Sequence, residues 1–158
     1  EASFLAAKEM KDIDVVNNNL GAVALVKDDV EKANELLTSA LGAGADVNYN
    51  LGIVNIIEGD YSKALNYFGS EDSYNKALAL YLNNSDEMGY RTAVNLTDET
   101  AKQYYLVAVI AAFQKKDDVA LENLKVAVSK DASLKERAKK DIEFAALFEN
   151  AEFKSIVQ

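Results

Sequence analysis

The sequence contains no histidine and no cysteine. Without imidazole the chain lacks the side chain best suited to proton transfer near neutral pH and to transition-metal ligation, which excludes the usual triads and zinc constellations. Without thiols it has no disulfide, no thiolate nucleophile and no zinc–sulfur site, a composition that suits an oxidising or a reducing compartment equally. Proline is absent as well, and the seven glycines fall mostly between stretches of apolar periodicity, where helices end or backbones approach closely, so an all-α protein is expected. No apolar run approaches the roughly 18 residues of a membrane span. Basic residues are in deficit, 17 against 26 acidic, and the net charge of −9 disfavours nucleic acid and anionic lipid surfaces as partners. The chain begins Glu1-Ala2-Ser3 without an initiator methionine, from which a trimmed N-terminus is expected, so the want of a signal peptide says nothing about compartment.

What is present is apolar material, 49% of 158 residues, enough for one core or one short solenoid, and a single unit over 1–158 is the expectation. Internal periodicity organises it. From the small residues Gly21, Gly52, Ala77 and Ala108, twelve positions forward lie Ala33, Ala64, Gly89 and Ala120, all small, and sixteen forward lie Leu37, Phe68, Ala93 and Leu124, all apolar. Leu20-Gly21…Lys27-Asp28-Asp29-Val30-Glu31-Lys32-Ala33 is echoed by Leu51-Gly52…Glu58-Gly59-Asp60-Tyr61-Ser62-Lys63-Ala64, and a further copy ends Lys115-Lys116-Asp117-Asp118-Val119-Ala120. Each turn carries an aspartate expected to cap the next helix. Two antiparallel helices approach closely only where their contact lacks bulk, which accounts for the small residues and makes each copy a helical hairpin.

This pattern resembles the tetratricopeptide repeat, whose motif places a Leu-Gly pair in the first helix and Ala, an aromatic or aliphatic, then Ala in the second. The resemblance covers roughly residues 14 to 130 and is weakest in the third copy. The anchors are 31, 25 and 31 residues apart, shorter than the family's roughly 34, and the bulky aromatic expected four residues before the anchor is met only by Tyr104. The resemblance implies a right-handed superhelix, an αα solenoid of antiparallel hairpins, with repeats over about 14–44, 45–69, 70–97 and 98–130. The third copy is expected to have shortened helices and to kink the superhelix. A helix over 2–10 looks like the second half of a preceding repeat, implying a chain cut from something longer. A segment over 134–157, a polar helix followed by Ile142, Phe144, Leu147, Phe148, Phe153 and Ile156, is expected to cap the last apolar face.

In this family the first helices line a concave groove that commonly holds an extended peptide. Residues two and three before each anchor are then the candidate groove residues: Asn18 and Asn19, Tyr49 and Asn50, Tyr74 and Asn75, and Tyr105, with Lys102 nearby. Asparagine amides pair with a ligand backbone whatever its sequence, and tyrosines add broad contact with a polar tip. The competing reading is that these side chains bond between neighbouring repeats or face solvent. A basic clamp for a C-terminal carboxylate is not expected, because Lys102 stands without a second cation.

Asp46-Val47-Asn48-Tyr49-Asn50 opens like a calcium loop but continues with Leu51 and reaches Ile57 where glycine and a bidentate glutamate are required, so it reads as a helix start. The acidic pairs Glu71-Asp72, Asp86-Glu87 and Asp98-Glu99 read as helix-start charges rather than as a catalytic dyad. Asn83-Asn84-Ser85 and Asn95-Leu96-Thr97 fit the glycosylation pattern and read as ordinary turns. No active site, cofactor or metal is expected. The expected function is a protein-interaction scaffold whose groove takes a peptide or helix of a partner, with a structural spacer or oligomerisation module as the alternative. The Asn- and Tyr-rich repeats and the Phe-rich ending are similar to tetratricopeptide regions attached to bacterial cell-envelope proteins, which implies a periplasmic or envelope location.

Overall fold

The computed structural model describes the backbone of residues 2–158 and the side chains of residues 13–158. Among these the chain is all-helical, with no strand: α1 (Ala2–Val26), α2 (Val30–Ser39), α3 (Ala45–Glu58), α4 (Tyr61–Phe68), α5 (Tyr74–Leu82), α6 (Asp86–Asn95), α7 (Ala101–Phe113), α8 (Asp117–Lys130), α9 (Leu134–Ala138), a 3-10 helix (Ile142–Leu147) and α10 (Ala151–Val157). Consecutive pairs α1–α2, α3–α4, α5–α6 and α7–α8 pack as hairpins. α1 is continuous, where a break between an entry helix and the first repeat was expected. Lys11-Asp12-Ile13 offers neither glycine nor proline to stop a helix. The side chains of the expected entry helix, Phe4 and Leu5 among them, lie outside the described residues.

All four hairpins turn in the same way. The residue seven places after each anchor is left-handed: Asp28 (φ 58°), Gly59 (φ 82°), Asn84 (φ 57°) and Lys115 (φ 58°). The amide of the next residue, Asp29, Asp60, Ser85 or Lys116, donates to the carbonyl five back, Ala24, Asn55, Leu80 or Ala111, over 2.9–3.0 Å. That bond closes the helix end and turns the chain. Asp29 and Asp60 then cap the second helix, accepting from the amides of Lys32 (3.3 Å) and Lys63 (3.0 Å). The fourth turn differs from the expectation of an aspartate cap, and the third turn lacks one as well. Ser85 and Lys116 occupy the position and make no side-chain cap bond, while Asp86-Glu87 and Asp117-Asp118 sit in the first helical turn and act through the helix dipole.

The small anchors touch what the spacing said they should. A β-carbon on Gly21 would stand 2.6 Å from Leu37 Cγ, and one on Gly52 would stand 2.4 Å from Phe68 Cε1, sixteen residues on in both cases. In the third hairpin the glycine has moved to the second helix, and a β-carbon on Gly89 would stand 2.9 Å from the Ala77 carbonyl oxygen. The first helix is shortened there, α5 having 9 residues against 14 in α3 and 13 in α7.

The chain divides into two compact units, Glu1–Glu71 and Asp72–Gln158, where the sequence reading has one. Unit 1 closes around Ala33, Leu37 and Ala40 of the α2 region against Val47, Leu51 and Val54 of α3. Unit 2 has two clusters. One joins Ala77 and Ala93 to Leu106, Val107 and Ile110 of α7. The other packs α7 and α8 under the closing segment, with Phe144 fully buried, edge-on to Tyr105 at 5.8 Å and tilted on Phe153 at 5.8 Å. The expected cap residue Ile142 is instead 76% exposed. The short 3-10 helix turns its neighbour Phe144 inward, and two residues cannot share that face at this spacing. Gln103, buried at the start of α7, donates from Nε2 to the carbonyls of Ala93 (3.0 Å) and Leu96 (2.8 Å), satisfying acceptors left over at the end of α6.

Candidate binding faces

In unit 1 the candidate residues Asn18 and Asn19 lie on α1, and Tyr49 and Asn50 on α3. Asn50 Nδ2 donates to Asn18 Oδ1 over 2.9 Å, so the asparagine ladder ties the two first helices together. The pairing uses one side of each amide, and an amide can donate twice and accept twice. Asn19 is exposed. Tyr49 is 38% exposed, its ring tilted on Phe68 at 5.5 Å.

In unit 2 the expected groove residues lie on α5 and α7, and the face there is covered by the chain's own closing segment. Tyr105 is 4% exposed, its hydroxyl donates to Asp141 Oδ2 over 2.8 Å and Arg137 stacks over its ring at 4.9 Å. It is therefore withdrawn from the set open to a ligand, because the 3-10 helix packs against α7. One turn beyond Ala77, Tyr81 donates to Glu143 Oε1 over 3.2 Å and meets the edge of Phe113 at 5.5 Å. Tyr74 is half-buried against Ala77 and Leu106, and Asn75 is half-buried beside it on α5. Lys102 is exposed.

The electrostatics follow the packing. Burial pushes the hydroxyls of Tyr74, Tyr81 and Tyr105 above the ordinary phenol value, and the carboxylates of Glu143 and Asp141 push Tyr81 and Tyr105 further in the same direction. Hydrogen bonding with Asp141, followed by burial, raises Glu143 above the ordinary carboxyl value. Tyr81 and Tyr105 thus keep their protons and donate hydrogen bonds to Glu143 and Asp141. Asp141, Glu143 and Arg137 were missed in the sequence. Their partners Tyr105 and Tyr81 stand 36 and 62 positions away from Asp141 and Glu143, beyond the reach of any helical spacing.

A cleft of about 440 Å³ opens between α8 and α10, lined by Lys125, Val128, Lys135, Glu152 and Ile156 among others and by none of the sequence candidates. Among the described residues no group of three or more acidic side chains is placed to hold a metal ion, and no helix is long and apolar enough to cross a membrane. No protein-family model, no curated protein sequence and no solved structure matches this chain.

Proposed function

We propose that the chain is a non-catalytic interaction module of the tetratricopeptide type, an αα solenoid that takes a peptide or helix of a partner protein along the first helices of unit 1. The observation that carries this is the strict register of the four hairpins: a left-handed residue, a 6→1 bond and a second helix begin at the same offset from every anchor. Repeats so built present their first helices as a series, and in unit 1 that series offers exposed Asn19 and Tyr49 around a bonded Asn18–Asn50 pair. Amide and phenol groups of this kind suit an extended backbone better than they suit any reaction. The spacer reading has one observation in its favour, the Asn18–Asn50 bond, which spends the ladder inside the chain.

Selection of peptides from a random display library separates the two. Peptides enriched on the wild-type chain should bind an Asn19→Ala/Tyr49→Ala variant at least about tenfold more weakly, a loss of about 1.4 kcal/mol, with its circular dichroism unchanged. No enrichment, or equal affinity for the variant, would favour the spacer.

A further inference from the structure

Unit 2 holds two of its own cations in one way, between an aromatic ring and a carboxylate. The Lys116 ammonium lies over the Tyr90 ring at 4.9 Å and pairs with Glu87 Oε2 at 3.7 Å. The Arg137 guanidinium lies over Tyr105 at 4.9 Å, and its Nε stands 3.9 Å from Asp141 Oδ2. A third set of the same parts is found where α5 and α7 end. Phe113 is 57% exposed and meets Tyr81 at 5.5 Å, the two ring planes inclined at 78°. Tyr81 donates to Glu143 Oε1 over 3.2 Å. Gln114, next in the chain to Phe113, donates to Asp86 Oδ2 over 2.7 Å. One side chain thus stands between the exposed ring and each of two carboxylates. Among the described residues no lysine or arginine lies over Phe113, and neither Asp86 nor Glu143 is in an ion pair.

We infer that the exposed ring of Phe113, with the carboxylates of Glu143 and Asp86, is a docking point for an arginine in a basic segment of a partner protein. The occupant follows from the charge. Two carboxylates without a counter-ion beside an aromatic ring attract a cation, and a planar guanidinium stacks on the ring while its several N–H groups reach carboxylate oxygens, which a lysine ammonium does less well. The molecule already uses this chemistry for Arg137 on Tyr105. Asp141 and partial burial hold the Glu143 proton above the ordinary carboxyl range, and a positive charge arriving there relieves that crowding. Every residue of this surface belongs to unit 2 and none to the unit 1 peptide face, so the inference does not rest on the function proposed above.

The test is a titration of the isotope-labelled whole chain with a Gly-Arg-Gly-Arg-Gly peptide blocked at both ends, followed by amide NMR shifts. Saturable shifts are expected around Phe113, Gln114 and Tyr81. Phe113→Leu, which keeps an exposed apolar side chain and removes the ring, should weaken binding about fivefold with circular dichroism unchanged. Glu143→Gln should weaken it more than Glu122→Gln, an identical charge change at an exposed site on α8. The same peptide with citrulline for arginine, uncharged and of similar shape, should not saturate. Absence of saturation by the arginine peptide overturns the inference. Equal affinity for Phe113→Leu, or equal losses from the two glutamate variants, does so too, since either would reduce the binding to general attraction by an acidic chain. Sedimentation of the chain alone gives the last check: a dimer that Phe113→Leu disperses would give the ring to a second copy and overturn a partner's arginine as its occupant.

Discussion

The first hairpin of unit 1 and the last hairpin of unit 2 are built alike and finished differently. Beside α7 and α8 the chain continues into α9, the 3-10 helix and α10, which bury Phe144, Leu147, Phe153 and Val157 against the hairpin. On α1, among the described residues, Val16, Leu20 and Val23 are each about half exposed. A repeat takes much of its stability from the neighbour it packs on, so the same hairpin is firmer where a neighbour is present. The difference also shows in the materials: unit 1 packs mainly with Ala, Val and Leu, whereas the closing cluster of unit 2 adds Tyr105 and two phenylalanines in edge and tilted contacts.

The sharpest way to break this comparison is Phe144→Ala. A fully buried ring with two aromatic neighbours should cost about 3–5 kcal/mol on truncation. Hydrogen exchange should then accelerate in α7 and α8 and stay as it was in α3 and α4. Equal acceleration in both regions would mean that the two units unfold as one.

The next largest effect is expected at the glycine contacts. A methyl group on Gly89 meets backbone, the Ala77 carbonyl oxygen at 2.9 Å and the Tyr81 amide nitrogen at 3.0 Å, whereas one on Gly52 meets the far edge of the Phe68 ring. Backbone cannot step aside as a ring at a helix end can. Gly89→Ala should therefore lower stability by about 1–3 kcal/mol, and Gly52→Ala by less, part of the cost being returned by alanine's better helix propensity, about 1 kcal/mol. Urea unfolding of the two variants checks the order.

The smallest expected effect concerns pH and belongs to unit 2 alone. Glu143 holds its proton more tightly in the folded chain than its ordinary value of 4.5 allows, chiefly through Asp141. Folding thus favours the protonated form. This contribution is fully present below the ordinary value and is lost as pH rises through the raised one. Glu143→Gln keeps an acceptor for Tyr81 and removes the titration. Urea midpoints followed from about pH 4 to pH 8 should fall less with rising pH in the variant than in the wild type.

The hairpins were legible in the sequence because their contact is made by small residues at a fixed distance, and Gly21 on Leu37 and Gly52 on Phe68 are the pairs the spacing names. The left-handed turn residues were not, since Asp28 and Lys115 carry no glycine to announce them. Tyr105 was assigned to a ligand because its place in the repeat is right. Only the folded chain shows Asp141 and Arg137 arriving there from the closing segment. Val16, Leu20 and Val23 make the same point from the other side: residues identical to Val47, Leu51 and Val54 have the opposite exposure, because burial is decided by the neighbour and not by the residue.

The common turn bears on where this chain can change its length. From each anchor to the apolar residue sixteen places on, all four copies keep one count, while from that residue to the next anchor the counts are fifteen, nine and fifteen. One residue added inside the turn would rotate the second helix by about 100° and carry Leu37 or Phe68 off its glycine. A residue added in the connector between hairpins moves whole hairpins and leaves each one intact. A loop or label grafted into the protein therefore belongs between hairpins rather than inside them.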